Sequence, residues 1–130
     1  KVLVRIAPMP NSMPGLARLR REETILLLVD VQEKLAPAIF ENARVEKNCV
    51  LLLRAASQLE IPVIITEQNP QRLGSTLPPL LELAPDSSVI SKMRFSSCVE
   101  STLAALEKLK RAWSLDLTPQ QRASIRGCCG

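Results

Sequence analysis

The chain has no histidine and no tyrosine among its 130 residues. Lack of histidine removes the commonest general base near neutral pH and the commonest zinc ligand. Acid–base chemistry therefore falls to carboxylates, lysine or cysteine. Aromatic residues are scarce, with two Phe and one Trp. The core must be aliphatic, and no platform for stacking nucleic-acid bases is available. No nucleic-acid partner is expected, although the formal net charge is +4. The basic clusters at Arg18-Leu19-Arg20-Arg21 and at Lys108 to Arg111 read as solvated surface. The four glycines form no GxGxxG or other phosphate-cradling loop. Cys49, Cys98, Cys128 and Cys129 form no CxxC pair, and no secretory signal is apparent. A disulfide framework is not expected, and a reducing cytoplasm is the default location. Long apolar runs are also missing. Asp30, Arg54 and Glu67 interrupt them well short of a bilayer span, so no membrane partner is expected.

What remains is ample aliphatic material. Hydrophobic residues make up 46%, and the length suits one domain with a real core. The first residue is Lys1, and Met9 and Met13 both read as candidate starts. Residues 1–23 carry several Pro and Arg and are expected to form a poorly ordered basic extension. Residues 24–111 read as the folded domain and 112–130 as an atypical tail.

Thr24-Ile25-Leu26-Leu27-Leu28-Val29 is a short continuous apolar run ending at Asp30, the pattern of a parallel strand buried on both faces. Ala43 to Glu60 carries Val45, Cys49, Leu52, Leu53, Ala56 and Leu59 at helical spacing. Ile61 to Thr66 reads as a second buried strand, with Pro62 tolerated at its start. Residues 67–76 read as a loop. Leu77 to Leu83 reads as a short helical piece interrupted by Pro78 and Pro79. Ser88 to Ser91 reads as a third strand and Ser97 to Arg111 as an amphipathic helix. Ala112 to Leu117 alternates like an edge strand. Thr118-Pro119-Gln120-Gln121 resembles a helix start, with Gly127 placed to end that helix.

This βα alternation implies a parallel sheet with helices on both faces. Ligands of such sheets bind at the carboxyl ends of the strands. Asp30, Glu67 and the residues after Ile90 all fall there. Alone, Asp30 reads equally as a helix cap, and Lys92 as a surface lysine. Brought together, they would form a partly buried pair suited to a thiol nucleophile. The carboxylate would take the thiol proton and the ammonium would stabilise the thiolate.

Leu28-Val29-Asp30-Val31-Gln32, Thr66-Glu67-Gln68-Asn69-Pro70 with Leu73-Gly74-Ser75-Thr76, and Lys92-Met93-Arg94-Phe95-Ser96 stand in the order and spacing of three family motifs. Together they resemble those of the isochorismatase-like cysteine hydrolases, over about residues 24 to 111. The resemblance implies a doubly wound three-layer α/β/α parallel sheet, Rossmann-like, in strand order 3-2-1-4-5-6. It implies an Asp-Lys-Cys triad in which Asp30 and Lys92 match the first two members. Gln68 matches a pocket residue, and Gln32 and Phe95 are expected to line the site. Relatives hydrolyse small molecules, either amides such as nicotinamide or the vinyl ether of isochorismate, and often assemble into homo-oligomers. The nicotinamidase branch binds a metal through histidines that are absent here, so neither metal nor other cofactor is expected.

The third triad member is the departure. The family cysteine follows a fourth strand, and nothing after Arg111 matches that segment. Written in permissible codons and read in a shifted frame, residues 112–123 can give VVLGLDATAACV, which resembles the missing piece. The expectation is a frameshifted or shortened tail and a chain without hydrolytic activity. The nucleotide sequence decides the first point. Cys98 begins a predicted helix rather than standing at the nucleophile's place, and Cys49 reads as core. A competing reading keeps the scaffold as a non-catalytic small-molecule-binding or interaction domain. Without a fourth strand, the run 24–29 would present a bare apolar edge, which Ala112 to Leu117 is the candidate to cover.

Overall fold

Apolar residues alternate sides so completely in Thr24–Val29 that both faces of the strand are covered. Leu26 and Leu28 enter one core cluster, and Leu27, with Ile25 and Val29 beside it, enters another. The computed structural model describes residues 2–6, 21, 24–94 and 104–105. Its elements are β1 (Val2–Ile6), β2 (Thr24–Val29), α1 (Asn42–Gln58), β3 (Val63–Gln68), α2 (Pro70–Leu73), α3 (Pro78–Glu82) and β4 (Ser88–Lys92). A 3-10 turn occupies Ala36–Ala38.

The sheet order is β1-β2-β3-β4. β2, β3 and β4 are parallel, with Val29 opposite Thr66 and Gln68 opposite Lys92. On one face, α1 supplies Cys49, Leu53 and Ala56, and α3 supplies Leu80, against Leu26, Leu28 and Ile65. On the other, Leu27, Ile64 and Ile90 pack with Ala105, which is helical. The parallel three-strand sheet with helices is the α/β architecture expected from the alternation.

Several boundaries differ from expectation for local reasons. β3 begins at Val63 because Pro62 contributes only its carbonyl, which accepts from the Leu26 N–H at 3.0 Å. It runs on to Gln68 because Glu67 and Gln68 pair with Ser91 and Lys92. Pro78 and Pro79 do not interrupt α3. They open it, where a missing N–H costs nothing. Within the expected loop, Asn69 takes a left-handed φ of 38° and Pro70 starts α2.

Val2–Ile6, expected to lack regular structure, is a strand. β1 runs antiparallel to β2, with Val2 opposite Leu28 and Ile6 opposite Thr24. VLVRI is rich in β-branched residues, and the outer edge of β2 offers unpaired backbone. β1 therefore occupies the edge for which Ala112 to Leu117 was the candidate. That segment, the helix read from Thr118 and the tail 112–130 lie outside the described residues. So does the predicted helix over 97–111, apart from Ala104 and Ala105.

Cys49 is wholly buried in α1. Burial pushes its thiol pKa up, and the Glu46 charge adds to the rise. The unfolded thiol ionises at about its ordinary value near 8.5, whereas the folded thiol does so only above that. The contribution to stability is therefore complete below the unfolded pKa and is lost as pH rises through the folded one. Urea midpoints measured from neutral to alkaline pH should fall more steeply for the natural chain than for Cys49→Ala. Parallel curves would show that Cys49 is not linked to folding.

Candidate functional site

Three adjacent strands end together, and each delivers one polar group to the same point. Asp30 follows β2, Thr66 lies within β3, and Lys92 closes β4. The Lys92 ammonium donates to Asp30 Oδ2 at 2.6 Å. The Thr66 hydroxyl donates to Asp30 Oδ1 at 2.9 Å. Lys92 also reaches the Arg94 carbonyl at 3.3 Å. The lysine side chain is fully buried and that of Asp30 is 13% exposed. Such burial suits two ions only when they are paired and hydrogen-bonded, as these are.

Asp30 does not cap a helix. It leaves β2 with a left-handed φ of 53°, a conformation Asp tolerates better than most residues. Its N–H donates to the Thr66 carbonyl at 3.0 Å, which fixes the turn. Lys92, which alone reads as a surface residue, is instead drawn inward by the carboxylate.

Gln32 is completely buried. Its amide nitrogen donates to the carbonyls of Gln68 at 3.0 Å and Gly74 at 2.6 Å. Its amide oxygen accepts from the Gln68 N–H at 2.8 Å. The Gln32 amide is thus turned onto backbone and clasps the loop 68–74. Gln68 itself is half-buried at the end of β3. Phe95 lies outside the described residues.

The loop is held again from beneath. The buried Glu67 carboxylate accepts from the Thr76 N–H at 2.7 Å and its hydroxyl at 2.9 Å. Backbone bonds from Glu33 to Ser75 and from Lys34 to Leu73 zip it to the segment after β2. Gly74, at φ 79° and ψ 176°, occupies a region open essentially to glycine alone. The rim beside Asp30 and Lys92 is therefore a pinned structure rather than a loose connection.

Sequence placed Thr66 at a strand end and Glu67 just past it, but gave no sign of the bonds that Thr66, Glu67 and Thr76 make. One signal was available: Thr66 is the lone hydroxyl ending an aliphatic strand. A cavity of about 350 Å³ lies at the opposite ends of β3 and β4, lined by Leu53, Glu60, Pro62, Ala84 and Asp86 among others. It includes none of Asp30, Gln68 or Lys92, so the chemistry at the carboxyl ends is separate from it. Among the described residues, no cluster of His, Cys, Asp and Glu could hold a metal ion. Nor is any helix there long and apolar enough to cross a membrane.

Comparison with known proteins bears on the family and the fold. The isochorismatase domain model matches residues 24–113. Isochorismatase domain-containing protein 2 of Danio rerio is 40% identical over 97 residues, covering 75% of this chain and 48% of that protein. The secreted isochorismatase effector Isc1 of Phytophthora sojae is 35% identical over 97 residues, covering 72% of this chain and 46% of that one. The chain thus spans about half the length of these relatives. Among solved structures, the MAR1 ribonuclease of Caenorhabditis elegans superposes with a TM-score of 0.59 at 37% identity, covering 63% of this chain and 43% of that one. The family match covers most of the chain and spans the Asp30, Gln68 and Lys92 motifs, and the chain belongs to the isochorismatase domain family.

Proposed function

We propose that this chain presents the acid–base half of an isochorismatase-like hydrolase site and binds a small amide or vinyl ether there without turning it over. The observation carrying this reading is the buried 2.6 Å contact between Lys92 Nζ and Asp30 Oδ2 at the carboxyl ends of β2 and β4, the parallel strands that flank β3. In a complete site of this kind, the carboxylate accepts a thiol proton. The thiolate then attacks the substrate, and the ammonium offsets the developing negative charge. Among the described residues the one thiol is Cys49, which is buried in the core and held protonated. It is no attacking group, so binding without turnover is the favoured form of the proposal. Gln68, half-buried at the end of β3, is the residue taken to meet the ligand, and the pinned loop beside it supports a preformed surface for a small molecule.

The worm neighbour's name carries a ribonuclease activity. That chemistry is less favoured here, because the buried cation is already paired with a carboxylate and the chain has no histidine. A reducing compartment suits the free thiol. Exposed Phe40 and Leu51 offer apolar surface for the homo-oligomer that the family resemblance implies.

The test is thermal unfolding with a panel of small primary amides, including nicotinamide, and vinyl ethers. The expected result is ligand-dependent stabilisation by mass action, reduced in Gln68→Ala, with no product formed. No stabilisation by any member would sink the binding site. Turnover abolished by Asp30→Ala would sink the inactivity, and RNA cleavage abolished by it would restore the ribonuclease reading.

A further inference from the structure

We infer that Thr66 is a positioning residue of this site: its hydroxyl sets the rotation of the Asp30 carboxylate, so that Lys92 holds one oxygen while the other keeps a fixed direction. This rests on the Asp30–Lys92 pair being the working acid–base pair. The carboxylate torsion of an aspartate is broad, and one contact does not define it. Lys92 grips Oδ2 alone at 2.6 Å. The second grip is Thr66 Oγ1 on Oδ1 at 2.9 Å.

Two further features set this hydroxyl apart from an ordinary strand threonine. Thr66 is wholly buried in a strand whose neighbours are Ile64 and Ile65, where valine would fill the same volume without a hydroxyl to desolvate. The same residue also holds the Asp30 backbone, accepting its N–H at 3.0 Å where φ is 53°. Thr66 therefore constrains Asp30 at both ends, main chain and carboxylate. Each carboxylate oxygen retains acceptor capacity beyond its bond, so a fixed orientation leaves defined directions for an incoming proton.

The experiment follows the Lys92 ammonium by nitrogen-15 NMR, with no ligand present. A buried, hydrogen-bonded ammonium exchanges its protons slowly enough to be observed. In Thr66→Val the carboxylate loses its second anchor, and exchange at Lys92 should quicken by about tenfold or more, the scale of one lost hydrogen bond to a charged group. Thr66→Ser, which keeps the hydroxyl and drops the methyl, should retain the slow signal even if it melts lower. An unchanged signal in Thr66→Val would overturn the assignment, as would a Ser variant that behaves like Val. If Thr66→Val does not fold, the natural chain still decides. Its Thr66 hydroxyl proton should be protected from exchange and released in Asp30→Ala, and rapid exchange in the natural chain would overturn the inference. Because no ligand is involved, a failed ligand panel leaves this result standing, and the converse holds too.

Discussion

Lys92→Met should lose about 3–5 kcal/mol of folding stability, the scale for removing one partner of a buried ion pair. The Lys92 side chain is fully buried and Asp30 is 13% exposed, so water cannot replace the ammonium freely. Methionine fills much of the lysine stem's space, which makes lost packing a minor part of the change. What remains is a carboxylate at the end of β2 whose one described neutral partner is the Thr66 hydroxyl. The double variant Asp30→Asn/Lys92→Met removes both charges, and its side-chain carbonyl can still accept from Thr66. It should be closer to the natural chain than Lys92→Met is, because replacing a whole buried pair is often nearly neutral. Urea unfolding of the natural chain, the two single variants and the double variant gives the coupling directly. Equal losses in the single and double variants would mean that the pair acts only by packing. The deficit should also persist in high salt, since burial shields the pair from screening.

The same pair shows what could be read from the sequence. β2 was legible to the residue, because five consecutive apolar residues after Thr24, ending at a carboxylate, have few other interpretations. The approach of Asp30 to Lys92 followed from strand order alone, since parallel strands align their carboxyl ends. The Thr66 bond was not legible. A strand threonine is equally consistent with packing, and its partner is 36 residues away. The bonds of the Gln32 amide were not legible for a related reason. Its position beside Asp30 is fixed by sequence, but an amide at a strand end turns toward substrate or toward backbone according to what the opposite loop offers. Here that loop offers the bare carbonyls of Gln68 and Gly74. β1 was missed because a five-residue strand, separated from its partner by a Pro-bearing stretch, has no periodic signal beyond its β-branched composition.

Removing residues 1–6 should convert the chain into a self-associating one. β1 pairs with β2 along five positions, from Val2 opposite Leu28 to Ile6 opposite Thr24. Without it, an apolar strand containing Leu26, Leu27 and Leu28 loses its partner on that side, and an unpaired apolar edge is a template for another chain. Size-exclusion chromatography with light scattering should show the particle mass of the shortened chain rising with concentration beyond that of the full chain. An unchanged mass together with an unchanged melting temperature would show that β1 does not protect this edge. The site should respond differently from the edge. Asp30 is placed by the register of β2 on β3 and held by Thr66 and Lys92, none of which involves β1. The slow Lys92 ammonium signal should therefore survive in the monomeric fraction of the shortened chain. Its loss there, with the sheet still formed, would make β1 a support of the site as well as a cover for the edge.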